Sequence, residues 1–216
     1  MSLSDELKAY MSTSITKIPG DILEVFNNAT EKLNLSGISE KAIGVGDTIP
    51  DIQLPNAMGN QVCVNDLLSR GPVVVSFYRG SWCPYCNIEL RALQSKLGQI
   101  KELGGSLVAI TPETADSLVS IDEIKQLSFH VLSDKENIVA KAFGLVFKVE
   151  DLVNDAYLKF GINLELSNGD SSHELPMPAT YVIASDHRVV HAFVEPDYTR
   201  RMEPEDIIAC LKRLSP

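Results

Sequence analysis

Three features of the sequence predict an α/β fold, with a central sheet covered by helices and a helical extension at its N-terminus. The β-branched run PVVVSFY, starting at Pro72, has the length and composition of a strand buried on both faces. Segments of strand and helix character then alternate as β–α–β–α–β up to FHVLSD, a pattern that calls for a parallel sheet with helices on its faces. Ahead of this unit, residues 3–12 and 20–35 carry helical periodicity.

In the second of those helical pieces, Ile22, Leu23, Val25, Phe26, Ala29, Leu33 and Leu35 recur every three to four positions, and Pro19-Gly20 separates it from the first. Residues 1–43 therefore read as an extension that packs on a main domain of residues 44–216. GVGDTIPD (44–51) is a Gly/Pro-punctuated linker. The apolar pieces flanking Met58-Gly59-Asn60 predict a short hairpin, with Asn65 or Asp66 capping a short helix after it. Behind the Val73 strand comes SWCPYC, then a helix in which Ile88, Leu90, Leu93, Leu97, Ile100 and Leu103 share a face. Gly104-Gly105 ends it. SLVAIT (106–111) is the next strand, 114–127 a helix, and FHVLSD a short strand. Helices are expected around 135–142 and 149–160, followed by the polar loop LSNGDSSHE. ATYVIAS and RVVHAFV predict two strands joined by a turn at Asp186-His187. An amphipathic helix, EPEDIIACLKRL, closes the chain, with Glu205 and Asp206 suited to its N-terminal end.

The net charge of −10 and pI near 4.8 argue against nucleic-acid binding through phosphate neutralisation and against docking on an anionic membrane. MSLSDELKAYMSTS lacks the basic and apolar regions of a signal peptide, and the best apolar run, VVVSF, is strand-sized. A cytoplasmic location is therefore the expectation. The 4 cysteines agree with it, since a chain of this length in a reducing compartment needs no disulfide staples.

Two of those cysteines, Cys83 and Cys86, are spaced CxxC where a strand gives way to a helix. Pro84 fits the first helical turn, where its missing N–H is not needed. The free N–H groups of that turn and the helix dipole favour a thiolate, which is the attacking species in thiol–disulfide exchange and in peroxide reduction. One helical turn brings the two sulfurs within reach of an internal disulfide. A zinc site would need two more ligands. Cys63 lies upstream, and His130, His173, His187 and His191 are scattered without a catalytic or metal-ligand spacing. Cys210, beside Ile207, Leu211 and Leu214, and Cys63 in QVCV read as core and strand fillers, with a resolving role as the alternative.

YRGSWCPYCNIELRALQ and LPMPATYVIASD, with VGDTIPDIQLPNAMGNQV as the opening hairpin, resemble the peroxiredoxin-like branch of the alkyl hydroperoxide reductase/thiol-specific antioxidant (AhpC/TSA) family over residues 44–214. The resemblance implies a thioredoxin-like fold with a central mixed sheet. It implies reduction of hydrogen peroxide or organic hydroperoxides by a cysteine thiolate, with electrons from a thioredoxin-like or small-thiol donor. No cofactor or metal is implied, and homodimerisation is expected by analogy.

Two alignments of the pair stay open. With Phe77-Tyr78 on the family's aromatic pair, Cys86 takes the peroxide-attacking position, Cys83 replaces a Thr, Arg79 replaces a Pro, and Glu89 matches an acidic residue. Aligned as the Trp-Cys-x-x-Cys of thioredoxins, Cys83 is an exposed nucleophile and Cys86 its buried partner. The family's peroxide-holding Arg before a late strand is missing: LPMPATYVI has Met177 and Pro178 there, and Pro178 resembles the cis-proline facing the thioredoxin pair. Arg79 is the replacement candidate, ahead of Arg91 and Arg200-Arg201. Trp82, Pro84, Tyr85, Met177 and Pro178 are candidate substrate or partner contacts. Two other functions fit the same residues. One is a thioredoxin-like protein disulfide oxidoreductase without peroxidase activity. The other is a redox-regulated binding protein using the helical extension as its interface.

Overall fold

The computed structural model describes residues 2–119 and 126–214. Its centre is a five-stranded mixed sheet of β3 (Val73–Phe77), β4 (Ser106–Thr111), β5 (His130–Ser133), β8 (Ala179–Ile183) and β9 (Val189–Val194), in the order β5-β4-β3-β8-β9. β3 runs parallel to β4, β4 parallel to β5, and β3 antiparallel to β8. Every residue of β3 is buried, as its unbroken β-branched run predicts.

Alternate residues of β3 serve different layers. Val73, Val75 and Phe77 join one core cluster with Phe143, Leu145 and Tyr181. Val74 faces the other way, against Leu93, Leu97 and Ile100 of α5 (Pro84–Glu102) and Ile207 and Leu211 of α10 (Pro204–Leu214). Gly104, at φ +75°, ends α5. The hairpin of β1 (Gln53–Pro55) and β2 (Gln61–Cys63) turns at Gly59, with Asn56 Oδ1 accepting from the Met58 and Asn60 N–H groups.

α1 (Leu3–Ser14) and α2 (Gly20–Leu35) occupy the predicted N-terminal positions. α1 buries Leu3 and Leu7 in the same cluster as Tyr78, Cys83 and Cys86. Its first-turn N–H groups, on Leu3 and Ser4, donate to the Glu203 carboxylate at 3.0 and 2.7 Å. Ile22 and Phe26 of α2 pack with Val153 and Tyr157 of α8 (Asp151–Lys159). No helix among the described residues is long and apolar enough to cross a membrane.

Three expectations change. Cys63, not Asn65 or Asp66, holds the cap position of α4 (Val64–Leu68); the Asn65 amide is used instead on Asp51, 2.7 Å away. The helix expected over 135–142 is broken. Glu136 and Asn137 have positive φ, and α7 begins at Ile138 (Ile138–Ala142), its first N–H groups taken by the Asp134 carboxylate. The polar stretch after 160 holds α9 (Leu164–Asn168), capped by Asn163, and β7 (Glu174–Pro176), which pairs with β6 (Val146–Lys148). Strands of three residues paired across two intervening helices leave no local period to read. Of the helix expected over 114–127, α6 (Ala115–Val119) is present, and 120–125 lie outside the described residues.

Candidate active site

β3 delivers the chain to the sheet's C-terminal edge, where Tyr78 and Arg79 follow Phe77 and the loop Gly80-Ser81-Trp82 leads into α5. Cys83 occupies the cap position with extended backbone, Pro84 the first helical position, and Cys86 the first turn. A buried carboxylate beyond the end of β4 clamps the loop. Glu113 accepts from the Ser81 backbone N–H at 2.8 Å and from its hydroxyl at 2.7 Å, and the Asn87 amide donates to the Ser81 carbonyl at 2.8 Å. Burial raises the Glu113 pKa against these bonds.

Gly80 is needed for close approach, since a Cβ there would lie 2.2 Å from Trp82 Nε1. Gly80→Ala is therefore expected to displace the indole and destabilise the protein by about 1–3 kcal/mol, the usual cost of overpacking. A denaturation midpoint within error of wild type would show that the loop yields freely.

Both thiols are reduced and fully buried, so the exposed nucleophile of the thioredoxin-type alignment is not observed. Each sulfur has its own arginine. Arg79 Nη2 donates to Cys83 Sγ at 3.1 Å, and Arg201 Nη2 donates to Cys86 Sγ at 3.2 Å. The arginines are held differently. Arg79 donates to the Tyr157 hydroxyl at 2.9 Å and stacks over the Tyr198 ring at 4.1 Å and the Trp82 ring at 5.1 Å. Its Nε–H finds no acceptor among the described residues. Arg201 uses four of its five N–H groups: besides the bond to Cys86, Nε donates to Glu89, and Nη1 to the Tyr198 and Arg200 carbonyls at 2.6 and 2.7 Å. Glu89 in turn accepts from the Thr180 hydroxyl at 3.1 Å and the Ser76 hydroxyl at 3.4 Å.

These contacts split the pair electrostatically. Burial pushes the Cys83 thiol up, but a hydrogen bond from Cys86 and the charges of Arg79 and Arg201 outweigh it and hold Cys83 well below the ordinary thiol range. Burial, together with the neighbouring Cys83 thiolate, pushes Cys86 well above that range in spite of Arg201. These surroundings favour the charge on Cys83 and the proton on Cys86, and the two thiols titrate as one pair.

Access separates the pair further. A cavity of about 320 Å³ lies between the N-terminal helices and the start of α5, and Cys83 is part of its wall along with Arg79, Trp82, Pro84 and Tyr85. A second cavity of about 200 Å³ touches Arg79 from the other side, against Pro178, Tyr157 and Tyr198. Cys86 borders neither.

The other sequence-predicted residues divide. Trp82 is half-buried and packs on Tyr157, with ring centroids 5.3 Å apart, so it is a wall rather than an exposed platform. Pro84 is exposed at the cavity and Tyr85 is buried there, edge-on to Tyr10 at 5.1 Å. Met177 is fully buried in the core cluster of Val73 and Phe77, away from any surface a partner reaches. Pro178 borders the second cavity, and no cis peptide occurs among the described residues, so the likeness to a cis-proline does not hold. Arg91 and Arg200 are surface arginines beside Glu6 and Glu195. Cys210 lies in the α5–α10 core with Leu97 and Ile207, and Cys63 is half-buried on the hairpin. Tyr157, Tyr198 and Glu113 were not singled out from the sequence. Only Glu113 had a usable signal, as a carboxylate just past the C-terminal end of a parallel strand, where α/β sheets place their sites.

Comparison with known proteins agrees with this fold. A model of the AhpC/TSA family matches residues 45–192. A putative peroxiredoxin bcp of Buchnera aphidicola is 33% identical over 100 residues, 46% of this chain and 63% of that protein. The chain thus spans less than two thirds of that relative's length. Peroxiredoxin Bcp of Escherichia coli is 25% identical over 148 residues, covering 68% of this chain and 83% of that one. Among solved structures, peroxidoxin BcpB of Mycobacterium tuberculosis superposes with a TM-score of 0.62 at 23% identity, covering 80% of this chain and 98% of that one. That likeness shows a shared fold, the thioredoxin-like α/β architecture of peroxiredoxins. With its mixed sheet, its CxxC at the head of α5 and a family match over most of its length, the chain belongs to the AhpC/TSA family.

Proposed function

We propose that the protein is a thiol peroxidase in which Cys83 attacks the peroxide and Cys86 resolves it. One observation carries this reading: Cys83 alone of the pair borders the cavity, and it receives the Arg79 N–H there. The thiolate sulfur bonds to the terminal oxygen of the hydroperoxide as the O–O bond breaks. Cys83 becomes a sulfenic acid, and the departing oxygen leaves as hydroxide or alkoxide, taking up a proton. The Arg79 guanidinium, which donates to the Cys83 sulfur and borders the cavity, is placed to stabilise that oxygen. The Cys86 thiol then condenses with the sulfenic acid, releasing water and forming the Cys83–Cys86 disulfide. Two thiol groups of a small-molecule or thioredoxin-type donor return the pair to the dithiol state and leave as a disulfide. A reducing compartment such as the cytoplasm suits that cycle. A protein disulfide is less well served as substrate, because its sulfur would have to meet a thiol with no exposed surface.

Stopped-flow mixing of reduced protein with hydroperoxide tests the proposal; a second-order rate no better than a free thiol's would sink it. The pH profile tests the electrostatics. Since Cys83 is held below the ordinary thiol range, the rate should reach its plateau at a lower pH than a free thiol's and fall as acid protonates the thiolate. Arg79→Met should move that inflection up towards the ordinary thiol value of ~8.5. An unmoved inflection would mean that Arg79 does not set the ionisation.

A further inference from the structure

We infer that Tyr157 is a further catalytic residue of the peroxidase reaction, the acid that protonates the departing oxygen. The inference rests on the peroxidase reading and deepens it by naming the source of the proton. That oxygen leaves as hydroxide or alkoxide, and the charged groups around the sulfur have no proton to give it. A guanidinium keeps all its protons in a protein, so Arg79 stabilises the charge without discharging it. Cys86 borders neither cavity, and its proton leaves later, in the water released as the disulfide forms. Glu113 also borders neither cavity, and its carboxylate is taken up by Ser81.

Tyr157 reaches the site from α8. Val153 and Ala156 of that helix pack with it against Ile22 and Phe26 of α2. Its ring contacts those of Phe26 and Trp82, with centroids 5.7 and 5.3 Å away, and these contacts fix where the hydroxyl sits. Arg79 joins that hydroxyl to the sulfur: Nη1 donates to the Tyr157 oxygen at 2.9 Å and Nη2 to Cys83 Sγ at 3.1 Å. The two ends of one planar fork therefore hold the phenol and the attacking atom side by side. Because the Tyr157 oxygen accepts from Arg79, its own hydrogen turns away from the guanidinium. Tyr157 lines both of the cavities that meet at Arg79. Two other tyrosines there are engaged differently: the Tyr85 hydroxyl lies 3.5 Å from that of Ser14, and Tyr198 carries the Arg79 guanidinium over its ring. Burial raises the Tyr157 pKa against the charge of Arg79, so the hydroxyl holds its proton at neutral pH.

The step balances. The Cys83 sulfur bonds to the terminal oxygen of RO–OH as the O–O bond breaks; sulfur is oxidised to the sulfenic acid and the peroxide is reduced to RO⁻. The Tyr157 proton passes to RO⁻ and gives ROH. The transfer runs downhill, since hydroxide is the base of water at ~15.7 and a phenolate that of a phenol at ~10. The phenolate, left beside the Arg79 cation, takes a proton back from solvent.

The test varies the leaving group. Hydrogen peroxide and cumene hydroperoxide expel hydroxide and an alkoxide, which need the proton. Peroxyacetic acid expels acetate, the base of a carboxyl group at about 4, which does not. Second-order oxidation rates of the reduced full-length protein are measured with all three at one slightly acid pH, where each peroxide keeps its own proton. Tyr157→Phe loses one hydroxyl and keeps the ring, and circular dichroism checks that its fold is that of wild type. It should slow hydrogen peroxide and cumene hydroperoxide about 10²-fold, at the lower end of general-acid catalysis, while peroxyacetic acid changes less than three-fold. Lys17→Met removes an exposed cation from the wall of the larger cavity and should leave all three rates within three-fold of wild type. Equal losses with all three peroxides in folded Tyr157→Phe would overturn the assignment and make Tyr157 only a support for Arg79. Unchanged hydroperoxide rates in that variant, or their selective loss in Lys17→Met, would overturn it as well and leave the peroxidase standing. Rates at the free-thiol level for all three peroxides with the wild-type protein would overturn both readings.

Discussion

Cys83→Ser is expected to abolish reaction with peroxide, at least about 10³-fold below wild type, because it removes the attacking atom itself. Cys86→Ser should keep the first oxidation within about ten-fold and stop there, with a sulfenic acid on Cys83 that a dimedone-type trap converts to an adduct. The asymmetry follows from the surroundings of two sulfurs only three residues apart. Cys83 has Arg79 and a place in the cavity wall, and its charge is favoured. Cys86 borders neither cavity at the site, and its thiol is pushed up by burial and by its neighbour's charge. Intact-protein mass spectrometry after one equivalent of peroxide decides between them. An adduct on Cys83→Ser, with none on Cys86→Ser, would reverse the roles and restore the alignment that places Cys86 in the family's attacking position.

The second large effect is on stability. Arg201 and Glu89 form an ion pair whose side chains are 1% and 2% exposed, and each also serves the site around Cys86. Removing one partner leaves a buried charge uncompensated, which costs about 3–5 kcal/mol. For a chain of this size that corresponds to a melting-temperature drop of roughly 6–20 °C. Arg201→Ala should lose the most, because the Tyr198 and Arg200 carbonyls also lose their donor. The double replacement Glu89→Leu with Arg201→Met should recover much of the loss, since neither charge is then buried. Recovery will be partial, because the Thr180 hydroxyl loses its acceptor. Thermal denaturation of the reduced proteins checks both statements. A single variant within 2 °C of wild type would show that the pair is dispensable.

The arginine that the resemblance places before a late strand is missing from this chain. Where a relative would carry it, this chain has Met177-Pro178, and both are buried. Arg201, from the loop after β9, stands instead beside Cys86 and Glu89. Sequence reasoning ranked Arg79 ahead of Arg200-Arg201 because Arg79 lies next to the pair. Both proximities turn out to matter, one along the chain and one through space, and they serve different sulfurs. Arg200, adjacent to Arg201, is on the surface with Glu195, a distinction that depends only on which way the loop turns.

What the sequence alone determined is what local chemistry encodes. The β-branched run specified a strand buried on both faces, the 3.6-residue period specified α5, and Pro84 and Gly104 marked its two ends. Those signals together placed Cys83 and Cys86 at a helix start as a redox pair. Tertiary structure alone decided which cysteine's surroundings favour a charge, which of the arginines meets which sulfur, and that α1 and α2 wall the cavity at Cys83. The reason is physical. Ionisation of a buried thiol responds to burial and to charges within a few ångströms, and here those come from Arg79, from Arg201 and from the space left between helices far apart in sequence.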